Sequence, residues 1–360
     1  MSSNQLKLKR CSTNPILKPN SKNSWERKAV FNPAAIEKDG KIYLLYRAIG
    51  EHKKYVSRIG LAVSKDGIHF HRVSNKPVLK PEKKYEQGGT EDPRIIKIGS
   101  KFYITYVALT NPFGKSPRFA RTFLFSTSNF RTFKRIGLIT SKRIDNKDVV
   151  LFPEKINGAY VMLHRPRGWT RKNVFKKNGK LYFKGERGLE EWSEKQIPKY
   201  FPEKPGIWIA YGKDFKNFAG HKLIMEQIQE WENDKIGTGP PPIKTKYGWL
   251  LIYHGVEEVG VNPKYISWAK KPNTKIYRAG AALLDLYNPS KIIARLPYPI
   301  LEPEKDYEIY GDTCNVVFPE GALIKDGQLF VYYGAADKVI GLATIKLEKL
   351  LSALLKHKWG

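Results

Sequence analysis

The sequence predicts an all-β chain folded as a five-bladed β-propeller with a short C-terminal helix. Two observations carry the blades. One phrase returns five times: a small or apolar residue, a proline, a Gly or Asn turn, then an aromatic-rich strand. Copies of the phrase carry a second element, a further apolar strand followed by a polar turn. The prolines stand at 33, 93, 153, 241 and 319, in steps of 60, 60, 88 and 78 residues. A strand-built repeat of that size is the signature of blades set around an axis. A third observation, a leucine stripe near the end of the chain, predicts the helix.

In chain order, Phe31-Asn32-Pro33 leads to the strand 43–46, and Asp92-Pro93-Arg94 to 102–106. Phe152-Pro153-Glu154 leads to 160–164, Pro240-Pro241-Pro242 to 249–253, and Phe318-Pro319-Glu320 to 330–333. The second elements are 60–64 before Asp66-Gly67, 123–126 before Asn129, 207–210 before Asp214, and 281–284 before Asn288-Pro289. Each reads as a third strand, a turn and a fourth strand. A proline-flanked apolar scrap also recurs, at 14–19, 76–81 and 298–303. It fits an edge strand or its exit, where no ladder donor is needed. The chain is therefore expected to form one domain over 1–360. Within it, 169–205 is a long Lys-, Glu- and Gly-rich excursion, expected to serve as a lid or an oligomer contact. Over 346–358, Leu347, Leu350, Leu351, Leu354 and Leu355 recur at helical spacing and form one apolar stripe, best suited to core packing.

Composition narrows the function classes. With 41% hydrophobic residues and 12% aromatic, the 360-residue chain can bury a large core. No run of 18 apolar residues occurs and the first nine residues are polar and basic, so neither a membrane span nor a secretory signal is expected. Two cysteines, Cys11 and Cys314, make no disulfide framework and suit reduced thiols in the cytoplasm. The net charge is +30. Taken alone, that charge points to a polyanion. The lysines, however, fall in scattered pairs such as Lys53-Lys54 and Lys176-Lys177, which reads as a solvated basic surface rather than a nucleic-acid stripe.

The polar residues attached to the repeat differ from copy to copy: Asn32, Glu91, Asp92, Arg94, Asp148, Lys235 and Asn315 near strand starts, and Arg47, His164, Arg165, His254 and Asp337 near strand ends. Such a mixed ring is costly to bury unless it is paired or binds a ligand. Gly88-Gly89-Thr90-Glu91-Asp92-Pro93-Arg94 is the sharpest motif. Strand alternation allows only one of Glu91 and Asp92 to face the axis. Lys147 with His164 and Arg165, and Lys235 before Gly237 and Gly239, suit an oxyanion. No zinc spacing, acyl-transfer elbow, Walker loop or dinucleotide fingerprint occurs, and no metal is expected.

These motifs resemble glycoside hydrolase family 130. The resemblance rests on Gly-Thr-Glu-Asp-Pro-Arg, on Leu-Phe-Pro-Glu with His-Arg-Pro after it, on Trp231-Glu232 through Pro240-Pro241-Pro242, on Tyr253-His254-Gly255, and on the run from Tyr332 to Asp337. They stand in the family's order and look most like its β-mannoside phosphorylases. The resemblance implies inverting phosphorolysis: inorganic phosphate cleaves a terminal β-linked mannose and gives α-mannose 1-phosphate. It makes Asp92 the proton donor, acting through a hydroxyl of the bound mannose. Asn32, Arg47 and Asp337 would hold that mannose. Lys147, Arg165 and Lys235 would hold phosphate, with His254 beside them. Phosphate is then a co-substrate, and no cofactor is implied.

The residues support this on physical grounds. An inverting hydrolase needs a second carboxylate to activate water, whereas a phosphorylase needs cations to hold its nucleophile. Two other readings stay open. One is a family hydrolase with Glu232 as base. The other is a non-enzymatic polyanion-binding propeller. Trp25, Tyr106, Trp169, Tyr211 and Tyr253 are candidates for stacking on a sugar, though blade packing competes for them. The excursion after the third phrase also offers a surface for homo-oligomer assembly.

Overall fold

The computed structural model describes residues 5–116, 118–141, 145–178, 180–185, 188–192, 201–266 and 272–359. Its strands form five antiparallel units of four, each running from an inner strand outwards. The first is Ala29–Lys38, Lys41–Ile49, Ser57–Ser64 and His71–Arg72. The second is Gly89–Ile98, Lys101–Leu109, Ala120–Thr127 and Lys134–Leu138, linked to the first by one parallel bridge from Ser57 to Gly89. The third is Asn146–Leu151, Tyr160–Pro166, Ile207–Gly212 and Phe218–Met225. In the fourth, Lys235–Thr238 pairs with the long strand Gly248–Ile266, followed by Pro272–Leu284 and Ile292–Arg295. In the fifth, Val317–Lys325, Gln328–Ala335 and Val339–Lys346 are completed by an N-terminal strand, Lys9–Arg10.

Apolar clusters close the ring. Leu45 and Ile59 pack with Ile104 and Phe123 between the first and second blades. Leu124 packs with Val149 and Met162 between the second and third. Leu163 meets Leu251 and Ala282, Ile252 meets Val331, and Leu44 meets Tyr332 and Leu342 at the return to the first blade. Every neighbouring pair of blades thus shares a buried wedge, giving the five-bladed propeller the repeat predicts.

A buried anchor recurs in four blades. Tyr46 donates to Glu26 at 2.9 Å, Tyr106 to Glu86 at 2.6 Å, Tyr253 to Glu232 at 3.1 Å and Tyr333 to Glu308 at 2.7 Å. Arg72, Arg135, Arg295 and Arg10 respectively complete each set from the outer strand. All four glutamates are 0% exposed, so each ion pair depends on its full set of hydrogen bonds. The third blade differs. There His164 takes the tyrosine's place, 3.0 Å from His221 and 2.9 Å from Asn146.

The sequence expectations need three adjustments. The C-terminal helix spans Leu347–Lys356, with Leu350, Leu351 and Leu354 buried in the wedge between the fourth and fifth blades. The third and fourth prolines are not equivalent to the others: Pro153 follows the inner strand Asn146–Leu151, and Pro240-Pro241-Pro242 follows Lys235–Thr238. The excursion carries a three-stranded sheet of its own, Val174–Lys177, Lys180–Gly185 and Gly188–Trp192. The proline-flanked scraps make single bridges to third strands, Leu17 to Ile340, Leu79 to Ile59 and Leu301 to Ala279, as edge segments do.

Candidate active site

Inner strands carry the site at bulges. The ladder slips between Phe31 and Pro33, between Glu91 and Arg94, and between Lys147 and Val150. At each slip one residue takes left-handed backbone: Asn32 (φ 49°), Asp92 (φ 50°) and Asp148 (φ 56°). Asn and Asp tolerate this conformation best among residues with a Cβ. A bulge re-aims side chains. Here it overturns the alternation rule, because Glu91 and Asp92 both reach Arg47, at 2.6 and 3.0 Å. Asp337, at φ 52°, and Tyr55, at φ 50°, add left-handed backbone at the same end of the ring.

Asp92 is the meeting point. Its carboxylate accepts from Asn32 at 2.9 Å and from Arg47 at 3.0 Å, with Lys147 3.8 Å away. Burial pushes this carboxyl up, but Arg47, Lys147 and Arg94 outweigh it and hold it at about 2. The same balance keeps Glu91 below the usual range, with Lys147 at 3.2 Å and Arg118 at 3.4 Å. Arg47 also donates to Ser57.

A second cluster surrounds Asp148, 1% exposed. Arg165 donates to it at 2.5 Å, Arg94 lies at 3.3 Å and His254 at 3.7 Å. Burial raises the Asp148 carboxyl, but Arg165, His254 and Arg94 together hold it well below the usual range. His254 is 0% exposed and burial pulls it down to about 3, so its ring is neutral. Gly237 is required here, since a Cβ would lie 2.4 Å from both Asp148 Oδ2 and His254 Cε1. Lys235 stands further out, paired with Asp234 at 2.7 Å and lying over the Tyr277 ring.

Arg94, bonded to the Asp92 carbonyl, ties the clusters together. Its guanidinium reaches Asp148, the carbonyls of Thr238 and Gly239, and Glu320 at 2.9 Å. Glu320 is 0% exposed, and burial pushes its carboxyl well above the usual range while Arg94 opposes that rise. On the opposite wall, half-buried Asp337 faces Arg47 and accepts from Thr313; burial raises it to about 6.

The predicted residues therefore fall into one asymmetric site. Asn32, Arg47, Asp92 and Lys147 touch, Arg165 and His254 share Asp148, and Lys235 and Asp337 flank them. Sequence reasoning missed Arg118, Tyr55 and Asp312, whose local sequence carries no motif, and Glu320, which stood in the fifth copy of the repeat but was not singled out. Two assignments fail. Glu232 is not a free base: it is locked by Tyr253, Arg295 and the backbone of Ile228 and Gln229. Tyr106 and Tyr253 commit their hydroxyls to the anchors, Trp25 stacks on Tyr46, and Trp169 packs on Trp208. An aromatic-Glu dipeptide would have revealed the anchors. Trp25-Glu26, Tyr85-Glu86, Trp231-Glu232 and Tyr307-Glu308 each carry one.

Known proteins match along nearly the whole chain. The profile of glycoside hydrolase family 130, described as beta-1,4-mannooligosaccharide phosphorylase, matches residues 7–356. A 1,2-beta-oligomannan phosphorylase of Thermoanaerobacter sp. (strain X514) is 42% identical, over 96% of this chain and 99% of its own. A beta-1,2-mannobiose phosphorylase of the same organism is 40% identical, over 96% and 99%. The solved beta-1,2-mannobiose phosphorylase of Listeria innocua, in complex with beta-1,2-mannobiose, is 27% identical and superposes with a TM-score of 0.73, covering 97% of this chain and 99% of its own. With a ring of blades, an acid set among cations, and similarity of this extent, the chain belongs to glycoside hydrolase family 130.

Proposed function

We propose that this protein is an inverting β-mannoside phosphorylase that cleaves β-1,2-linked manno-oligosaccharides with inorganic phosphate. One observation supports phosphorolysis above the rest: cations crowd Asp92, and the carboxylates paired with them are committed. Glu91 is held by Arg47, Lys147 and Arg118, Asp148 by Arg165, and Glu232 by a structural anchor. Water activation needs an uncommitted carboxylate on the far face of the sugar, whereas cations suit phosphate. The β-1,2 linkage follows the relatives at 42% and 40% identity, although the family's own description names β-1,4.

In this reading Asn32, Arg47 and Asp337 hold the terminal mannose. Lys147, Arg165 and Lys235 hold phosphate, and neutral His254 positions it beside them. A phosphate oxygen forms the bond to the anomeric carbon as the glycosidic bond breaks, and inversion gives α-mannose 1-phosphate. Asp92 supplies the proton taken up by the leaving oxygen. With its carboxyl held at about 2, Asp92 is ionised in the free protein. Phosphate arriving as its monoanion both brings a proton and offsets the charge of Lys147 and its neighbours, which lifts Asp92 towards the acid form.

The test is to incubate β-1,2-mannobiose with and without phosphate and assay α-mannose 1-phosphate. Product should require phosphate, and Asp92→Asn should retain less than about a tenth of the turnover, a barrier rise above ~1.4 kcal/mol. Mannose release at an equal rate without phosphate refutes phosphorolysis. Preference for β-1,4-mannobiose refutes the linkage.

A further inference from the structure

Arg47 makes more of its contacts to fixed groups than any sugar-side residue proposed above, and one of those contacts is unusual. Its guanidinium carbon lies 4.7 Å from the centre of the Phe31 ring and 5.8 Å from that of Tyr55. Phe31 belongs to the regular inner strand and is 0% exposed. Tyr55 does not belong to a strand. It sits in the connection before Ser57–Ser64, in left-handed backbone at φ 50°. For a bulky aromatic residue that conformation is strained by about 1–3 kcal/mol, and it persists only where surroundings over-determine it.

The surroundings that hold Tyr55 come from the other end of the chain. Its hydroxyl donates to Asp312 Oδ2 at 3.2 Å. His52 Nε2 lies 3.1 Å from the same oxygen, and its ring stacks on Tyr55 at 6.1 Å. Asp312 is 5% exposed and one residue from Thr313, which bonds Asp337. A single carboxylate from the segment before the fifth blade therefore fixes a first-blade loop, and through it one face of the arginine.

We infer that Tyr55, held by Asp312 and His52, is a positioning residue that clamps Arg47 for the sugar. A guanidinium lying over two rings, with donors already directed at Ser57, Glu91 and Asp92, keeps one orientation while sugar enters and leaves. The strain at Tyr55 places the ring there. Glycine would relax the backbone and remove the clamp together, but it also deletes a buried ring packed with Ala29, Phe31 and Ile49, and that loss outweighs the relief.

This inference rests on the proposed role of Arg47, so wild-type phosphorolysis of β-1,2-mannobiose is measured first. Its absence would defeat that role rather than the clamp. With wild-type activity in hand, KM for mannobiose and for phosphate are measured in Tyr55→Gly, Tyr55→Phe and Asp312→Asn, with melting temperatures alongside. Tyr55→Gly should raise the mannobiose KM about tenfold, with the phosphate KM within about twofold, while its melting temperature falls through the loss of a buried ring. Tyr55→Phe keeps the ring but loses its bond to Asp312, and Asp312→Asn weakens the same bond, so both should fall between wild type and Tyr55→Gly. An unchanged mannobiose KM in Tyr55→Gly, or an equal rise in both KM values, overturns the clamp. So does a Tyr55→Phe variant whose mannobiose KM rises as far as that of Tyr55→Gly, because the ring would then not be what acts.

Discussion

Replacing Asp337 by Asn tests the electrostatics of the pocket through stability alone. Burial raises this carboxyl from its ordinary 3.8 to about 6, Arg47 opposes that rise, and Asp92 and Asp312 reinforce it. A carboxyl raised in the folded state favours folding in its protonated form. That advantage is complete below about pH 3.8 and disappears as pH climbs through 6. At 1.36 kcal/mol per pH unit, ionised Asp337 costs the folded state up to ~3 kcal/mol above pH 6. Asn never ionises, and it accepts the same left-handed backbone. The variant should therefore match wild type near pH 4 and exceed it increasingly up to pH 7. With an unfolding entropy of about 2.1 cal/mol/K per residue, the gain at neutral pH is at most about 4 °C in melting temperature. Differential scanning calorimetry from pH 4 to 7.5, with activity assayed alongside, gives the answer. A stability difference that does not change with pH, or an Asp337→Asn variant that melts below wild type at pH 7.5, would refute the reasoning.

Three further outcomes are expected. Gly237→Ala should raise the phosphate KM about tenfold or more with little effect on the mannobiose KM, because its methyl displaces Asp148 or His254; steady-state kinetics decide. Glu232→Gln should destabilise the fold by about 3–5 kcal/mol, since it breaks a buried ion pair with Arg295. Denaturant unfolding will show this, and a full loss of activity at wild-type stability would restore Glu232 as a base. Arg165→Lys should weaken phosphate binding about tenfold while the fold survives, because an ammonium cannot reproduce the guanidinium's contact with Asp148 together with phosphate. Isothermal titration with phosphate measures that change.

The repeat was legible because aromatic second strands pack against one another at fixed depth, so Tyr43–Tyr46 and Tyr332–Tyr333 recur in letters as well as in space. The candidate site residues were legible for a related reason, since left-handed bulge positions favour Asn or Asp and cations beside carboxylates stand out. What failed was local geometry. Glu91 and Asp92 were expected on opposite faces, but the slip between Glu91 and Arg94 turns them to one. Pro153 kept an even spacing by coincidence, because the third bulge centres on Asp148 and the proline lies past the strand. Glu232 looked like a base because burial cannot be seen in a motif, and only its partners Tyr253 and Arg295, 21 and 63 residues away, give its structural role. Tyr55 and Asp312 meet across 257 residues, a contact that no local pattern encodes.

The strand Lys9–Arg10 completes the fifth blade, and Arg10 bonds Glu308, 298 residues later. During synthesis at about 5–20 residues per second, that arginine waits about 15–60 s for its partner. At the end of this interval, once Ile292–Arg295 is made, four blades exist while the last is missing, and the wedge surfaces at both ends of the arc stay open to water. The nascent chain thus meets its greatest aggregation hazard just before completion. The basic residues Lys7, Lys9 and Arg10 guard the waiting strand by charge, as exposed sheet edges require.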